Sequence, residues 1–327
     1  MILVTGGAGF IGSNLVAALD QRSATPVFVC DSLDNEEKER NLAKHKVAGL
    51  IEPSQLLEWL DGPGKLTETI FHLGAISATT ERDPVALLDN NVALSTSLWR
   101  WCSAQEARLI YASSAATYGD GLSGFDDDPD PRALAALKPL NGYGQSKQLF
   151  DIDAALMSRM GCRPTQWVGL KFFNVYGPNE YHKGGQRSVV VQLYEQISST
   201  GQAKLFRSHH DDYKDGGQLR DFIWVGDCIE VMLWLYDNPG VSGIFNCGTG
   251  EARSFLDLAR ACFRAMEREE SIEFMDTPEG LRARYQYYTE ASMERLRDAG
   301  FMKPFTSLED GVVRYIRNYL QTNDPYR

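Results

Sequence analysis

The stretch Met1-Ile2-Leu3-Val4-Thr5-Gly6-Gly7-Ala8-Gly9-Phe10-Ile11-Gly12 decides how the rest of the chain is read. Ile2, Leu3 and Val4 form a short apolar run suited to a buried central strand. Glycines follow at once, and a helical pattern with Leu15, Val16 and Leu19 begins directly after them. Strand, glycine turn and helix in that order are what binding a dinucleotide pyrophosphate requires. Glycine allows a tight turn and close approach of backbone to phosphate, and the helix N-terminus offers unpaired N–H groups and a partial positive charge. Gly7, Gly9 and Gly12 fit G-x-G-x-x-G, while Gly6, Gly9 and Gly12 fit G-x-x-G-x-x-G. The flanking strand and helix favour a cofactor loop over an ordinary glycine turn. The expected fold is α/β, a doubly wound parallel sheet with a smaller mixed α/β substrate domain.

Outward from that loop, Val27-Phe28-Val29-Cys30 reads as the second strand, ending at Asp31. An acid about twenty residues beyond the glycine loop accepts hydrogen bonds from the adenosine ribose hydroxyls. By that rule alone Asp31 points to NAD. Lys38 and Arg40 follow closely, and a cation there neutralises a 2′-phosphate, so these residues leave NAD and NADP both open. Thr69 to Leu73 is a further strand, with His72 a satisfied core histidine, and the small residues of Gly74-Ala75-Ile76-Ser77 leave room for a ligand at its carboxyl end. Asn90-Asn91 are expected to open an amphipathic helix with Val92, Leu98 and Trp101 on its apolar side, Asn90 capping it and contacting the cofactor. Leu109 to Ala112 is a strand that runs into Ser113-Ser114, whose hydroxyls then lie beside the cofactor. Asp126-Asp127-Asp128 reads as a solvated acidic loop.

Tyr143 and Lys147 are the strongest catalytic pair, four apart and therefore on one face of a helix. A phenol is a poor base at its reference pKa near 10, but an ammonium one turn away and a positive nicotinamide ring favour phenolate. Bringing it to neutrality takes about 3 units, or about 4 kcal/mol, within reach of two close cations in a partly dry site. Ser114 is placed to hydrogen-bond the same substrate oxygen.

A chain of 327 residues can bury a sizeable core and form two lobes. Hydrophobic content of 43% and charged content of 24% are those of a soluble globular protein. The net charge of -11 argues against a broad nucleic-acid surface, without excluding an anionic small ligand held by local cations. The first residues already form a strand, so no secretory signal is expected, and no apolar run is long enough to span a membrane. Six cysteines without C-x-x-C spacing read as reduced core residues of a cytoplasmic protein. His209-His210-Asp211-Asp212 reads as a loop, and no metal is expected. The following residues, Asp211 to Gln218, read as a flexible flap over the substrate.

With the glycine loop, Ser114 and Tyr143/Lys147 in place, the chain resembles the extended short-chain dehydrogenase/reductases that modify nucleotide sugars. Tyr111 to Gly119, Phe172-Phe173-Asn174-Val175-Tyr176-Gly177-Pro178, His182-Lys183-Gly184 and Gly243 to Gly250 narrow the likeness to the branch that inverts C6 of an ADP-bound glycero-manno-heptose for lipopolysaccharide core precursors. The resemblance implies an extended Rossmann fold, with residues 1–171 and 222–248 binding the dinucleotide and residues 172–221 and 249–327 binding the sugar nucleotide. It implies NADP, held by the loop glycines and by Phe10, Ile11, Asp31, Ser32, Lys38, Leu73, Gly74, Ala75, Ile76, Ser77, Asn90, Tyr143, Lys147, Val175 and Lys183. Two departures weaken that set: an acid usual at Leu73 is missing, and Pro53 replaces a lysine.

The resemblance also makes Lys183 a second acid/base facing Tyr143 across the sugar. Transient oxidation to a 6-keto intermediate and return of the hydride to the other face is served better by two proton-handling groups than by one. Arg187, Lys204, Arg207, Arg220, Arg282 and Arg284 supply cations for a diphosphate, Arg220 foremost. Ser114, Asn174, Gly185, Gln192, Phe206, Arg207, Ser208, His209 and Tyr285 complete the implied substrate surface, although Gly185 and Gln192 replace a serine and a histidine. The partner implied is an ADP-sugar, with a homo-oligomer as the family habit. A 4,6-dehydratase is disfavoured because Ala115 and Ala116 stand where it carries Asp-Glu. A 4-epimerase would not need Lys183. An inactive NAD(P)-sensing protein would be expected to break the Ser114/Tyr143/Lys147 set.

Overall fold

A computed structural model describes residues 1–22, 25–282 and 286–327. Seven strands form one parallel sheet: β1 (Ile2–Thr5), β2 (Val27–Cys30), β3 (Gly49–Ile51), β4 (Thr69–His72), β5 (Arg108–Ser114), β6 (Gln166–Phe172) and, later in the chain, β10 (Gly243–Cys247). Their spatial order is β10-β6-β5-β4-β1-β2-β3. Chain order reverses between β1 and β4, and the crevice outside the carboxyl ends at such a point is where α/β sheets bind ligands. The strands are continuous apolar runs because helices cover both faces. Helices Phe10–Arg22 and Val225–Asp237 cover one face around Val4, Phe71 and Val168. Helices Leu94–Ala104 and Gly142–Arg159 cover the other around Leu3, Ile70 and Tyr111.

A second lobe is built on β7 (Asn174–Tyr176), β9 (Leu219–Trp224) and β11 (Ala252–Ser254), in the order β11-β9-β7, and on a β8 (Ala203–Phe206) and β12 (Ile272–Met275) pair. Helices Val189–Thr200, Phe255–Ala265 and Leu308–Tyr315 pack around it. Ser254 and Asp257 close a capping box at the start of the second of these. Phe222 to Trp224 pair with β7, so the chain returns to the first lobe at Val225 rather than at Phe222. Residues Ala291, Met293, Leu296 and Phe301 also pack into the first lobe's core. Among the described residues no helix is long and apolar enough to cross a membrane.

Two further expectations are corrected. The helix thought to open at Asn90 begins at Pro84, capped by Asp83, whose Oδ1 accepts from Val85 N and Ala86 N. It passes through a wide turn at Leu88–Ala93 before continuing. The acidic loop is not wholly solvated: Asp127 is 1% exposed and accepts from Asn246 N at 2.7 Å. Burial pushes its carboxyl up to about 6, against the hydrogen bond from Asn246 and the charge of Arg295.

Beneath the crevice, between β5, β6 and the Gly142–Arg159 helix, lies a completely buried ion pair. Lys171 Nζ donates to Asp151 Oδ2 at 2.9 Å and to Thr117 Oγ1 at 2.7 Å, and Asp151 also accepts from Tyr111 OH and Ser113 Oγ. Removing one partner leaves an uncompensated charge, so Lys171→Met should cost ~3–5 kcal/mol, read as a lowered urea midpoint, and the D151L/K171M double variant should recover part of that loss.

Candidate active site

The glycine loop forms the floor of a cleft of about 940 Å³. Gly6 has φ +67°, and a Cβ there would lie 2.5 Å from Gly74 N, so β1 and β4 can approach only with glycine at this position. A Cβ on Gly12 would lie 2.0 Å from Gly6 O. Gly9 opens into the cleft, whereas Gly7 packs on Val29 of β2. Gly6 and Gly12 are thus forced by backbone contact and Gly7 by Val29, 2.8 Å from its would-be Cβ, while Gly9 is the least crowded, 3.1 Å from Gly6 O. Ser13 N donates the first helical bond, to Gly9 O at 3.0 Å. Among the described hydrogen bonds this leaves the N–H groups of Phe10, Ile11 and Gly12 to open the helix beside the cleft, a cradle that fits a pyrophosphate.

At the ribose end, Asp31 braces the loop. Its Oδ2 accepts from Ala8 N at 2.9 Å, and its Oδ1 accepts from Ser32 N at 2.9 Å and from Lys38 Nζ at 3.2 Å. Lys38 also donates to Ser32 O at 3.1 Å. Asp31 and Lys38 both line the cleft, but Ser32 is not among its lining residues. Arg40 turns away and lies over the Tyr326 ring, 4.3 Å from its centroid. Leu73, Gly74, Ala75, Ile76 and Ser77 form the β4 edge of the cleft. Behind them His72 bridges Thr5 Oγ1 and Ser95 Oγ, and burial, with the Lys147 charge, lowers its pKa to about 3.

Asn90 does not reach this edge. It is exposed, with its amide on Ala86 O. Its neighbour Asn91 faces inward instead, pairing with both the N–H and the C=O of Ile76 and donating to Ser146 Oγ at 2.9 Å. The wide turn shifts the helical phase by one residue, which period counting from Asn90 cannot show. The Asp83-Pro84 start signal could have shown it.

The catalytic wall is set by two local devices. Ser114 Oγ accepts from Ala116 N at 3.1 Å and so caps the turn after β5. Asn141 Oδ1 caps the Gly142–Arg159 helix through Gly144 N at 2.8 Å, and a Cβ on Gly144 would lie 2.6 Å from Ala116 O. The helix start is thereby pressed onto the turn, bringing the Tyr143 phenol into hydrogen-bonding contact with Ser114. Lys147 Nζ donates to Ala112 O at 2.8 Å. Burial lowers the Lys147 pKa to about 8, opposed by the charge of Asp151. The phenol of Tyr143 is not lowered by the protein itself: burial raises it, with the Ser114 hydrogen bond pulling the other way. Any cation that promotes phenolate must therefore come with the bound molecules.

Lys183 lines the same cleft, its Nζ 5.5 Å from the Phe10 ring centroid. Burial holds its ammonium below the usual lysine range, with Glu180 opposing. Glu180 was not foreseen. It is 1% exposed and its carboxylate gathers Ser188 N, Ser188 Oγ and Tyr315 OH, fixing the turn that carries Lys183. His182, beside Lys183, is lowered to about 4 by burial and the nearby lysines.

Of the residues expected on the substrate side, Ser114, Asn174 and Gly185 line the cleft, and Val175, expected at the cofactor, lines it too. Gln192 instead donates to Arg187 O, and Arg187 is held bidentately by Glu195. Phe206 ends β8 and Arg207, Ser208 and His209 follow it, all outside the cleft lining, with Arg207 N on Met275 O and His209 N on Tyr287 OH. Buried Arg220 donates to Leu219 O and Gln286 O. The segment expected as a flap is a turn in which Ser208 N bonds Asp215 Oδ1 and Gly216 N bonds Phe206 O. Tyr285 and Arg284 lie outside the described residues.

The sequence profile of the NAD dependent epimerase/dehydratase family matches residues 2–248. Over the whole of both chains the sequence is 51% identical to an ADP-L-glycero-D-manno-heptose-6-epimerase of Nitratidesulfovibrio vulgaris and 45% identical to one of Fusobacterium nucleatum. The crystal structure of Helicobacter pylori ADP-L-glycero-D-manno-heptose-6-epimerase is similar with a TM-score of 0.78 at 27% identity, covering 97% of this chain and 95% of that one. A nicotinamide cofactor follows from the profile, and the glycine cradle fits it.

Lys147 gives the cleft a pH signature. Its folded pKa, about 8, lies below the ordinary 10.5. Below pH 8 both folded and unfolded states carry the charge, and its burial penalises folding. As pH rises from about 8 to 10.5 the folded state discharges first and the penalty fades. The Tm of the wild type relative to Lys147→Met should therefore rise across that window, measured by thermal melts at matched ionic strength.

Proposed function

We propose that this chain, which belongs to the NAD dependent epimerase/dehydratase family, inverts C6 of ADP-glycero-manno-heptose through a 6-keto intermediate. The observation that carries this reading is the presence of Lys183, an ammonium held below its usual range, in the same cleft as Ser114, Tyr143 and Lys147. A dehydratase would need further acid/base groups after Ser114, where Ala115 and Ala116 stand.

A nicotinamide dinucleotide held on the loop of Gly6, Gly9 and Gly12 would supply reversible hydride transfer at C6, with no net redox change. The protein manages protons and position. Burial moves the two proton-handling groups in opposite senses: the Tyr143 phenol keeps its proton more tightly than free tyrosine, and Lys183 less tightly than free lysine. In one direction neutral Lys183 accepts the C6 hydroxyl proton as the hydride leaves. Tyr143 then donates a proton to the ketone oxygen as the hydride returns to the opposite face. In the reverse direction the two exchange roles. Ser114 hydrogen-bonds the reacting oxygen, and Lys147 stands one helical turn from Tyr143 with its Nζ on Ala112 O.

The cofactor is NADP. Lys38, held at the ribose end of the cleft by Asp31 at 3.2 Å and Asp34 at 3.4 Å, is the cation placed to turn its ammonium to a 2′-phosphate. Arg40, engaged by Tyr326, contributes indirectly.

Incubation of the pure protein with either ADP-heptose epimer should give the same mixture of both, followed by NMR. No interconversion, or equal turnover of UDP-galactose, would overturn the assignment. Tyr143→Phe should lower turnover by about 10²–10⁴-fold while the dinucleotide stays bound. NADP should be the dinucleotide released on denaturation; Lys38→Ala should weaken NADP about tenfold or more, and NAD far less, in fluorescence titrations.

A further inference from the structure

Residues Asp324–Arg327 fold back across the seam between the glycine-loop helix, the Lys38 helix and the turn that bears Lys183. Tyr326 is 6% exposed, set between the Arg40 guanidinium and the Tyr181 ring, with ring centroids 5.1 Å apart in the latter pair. Its carbonyl accepts from Lys44 Nζ at 2.6 Å, and Lys44 also pairs with Asp324 at 2.7 Å. Tyr181 OH donates to Pro325 O at 2.9 Å. Arg327 N donates to Asn179 Oδ1 at 2.9 Å, and Arg327 Nη1 donates to Asn14 Oδ1 at 3.2 Å.

The groups so joined are those that fix the cleft. Asn14 lies on the glycine-loop helix and donates to Pro178 O; Asn179 donates to Ser13 Oγ; and Asn41, at the end of the Lys38 helix, donates to Ala8 O and Asn179 O. Asn179 has φ +73°, a left-handed conformation that asparagine tolerates but that still needs support. Lys183 follows four residues later on the same turn.

We propose that Tyr326 and Arg327 are positioning residues, a clasp that locks the Lys183 turn to the ribose-binding helix so that acid/base group and cofactor site move as one body. The proposal rests on the reading of Lys183 as an acid/base group and of the cleft as an NADP site. The clasp touches neither substrate nor reacting atoms. It acts through Asn179 on the turn, through Arg40 on the Lys38 helix and through Lys44 just beyond that helix's end.

The test uses the full chain loaded with NADP, comparing wild type with Tyr326→Ala and Arg327→Ala. A misplacement of about 1 Å costs about 10²-fold in turnover, so kcat should fall by about that factor while KM for the ADP-heptose stays within about twofold. NADP should leave about tenfold faster on dilution, because lost contacts act chiefly on dissociation rates. Acetylation of Lys183 by acetic anhydride, read by peptide mass spectrometry, should also quicken. Unchanged kcat, NADP retention and Lys183 labelling overturn the proposal. So does a fall in kcat with unchanged Lys183 labelling, which marks general loosening. Should Arg327→Ala fail to fold, Lys44→Met removes the Tyr326 carbonyl contact and carries the same expectations at smaller size. Were the wild type to show no epimerisation, labelling and retention, probed with both NADP and NAD, would still decide for or against the clasp.

Discussion

The closeness of three backbone segments governs this molecule. Gly6 meets Gly74 on one side and Gly12 on the other, at separations that leave no room for a single methyl group. That contact draws the carboxyl ends of β1 and β4 together at the topological switch point. It aims the N-terminus of the Phe10–Arg22 helix into the resulting crevice. Everything else lining the cleft is placed relative to this junction, including the small-residue edge after β4 and the Phe10 ring over which Lys183 sits.

Around that junction the protein uses buried side-chain amides and carboxylates in place of regular backbone pairing. Asp31 holds Ala8 N, Asn41 holds Ala8 O, Asn14 holds Pro178 O, and Asn91 pairs with both polar groups of Ile76. Loops cannot bury their backbone without such partners. Each bracket therefore removes a desolvation cost and freezes a loop in the same step. A cleft walled by bracketed loops is preorganised, which is what positions a reacting carbon between a hydride acceptor and two proton carriers.

The parallel sheet was legible because strands covered on both faces are plain apolar runs, and the loop because Gly6 and Gly12 leave no room for a side chain. Tyr143 and Lys147 were legible because one helical turn fixes their common face. What escaped depends on partners distant in sequence. Asp127 looks solvated until Asn246, on a strand 119 residues away, takes its carboxylate. Asn90 looked functional because the wide turn that hands its place to Asn91 leaves no periodic trace. Glu180 reads as an ordinary acid until Tyr315, from the last helix, closes over it. The substrate side was the least legible part, because where β8 ends relative to the cleft is decided by its pairing with β12.

Placing two proton carriers in one cleft raises a problem that burial solves. A free tyrosine and a free lysine have similar reference pKa values, so in water neither would be reliably the donor or the acceptor. Desolvation acts against charge, and the charged form is the anion for one and the cation for the other. The same low-dielectric surroundings therefore raise Tyr143 and lower Lys183, pushing two matched groups apart without a dedicated device for each. Asp151 adds to the rise at Tyr143, and Glu180 limits the fall at Lys183. Both acids sit behind the reacting surface. The opposed shifts are thus a property of the cleft as a whole, and they follow from the same partial exclusion of water that strengthens every hydrogen bond to the reacting oxygen.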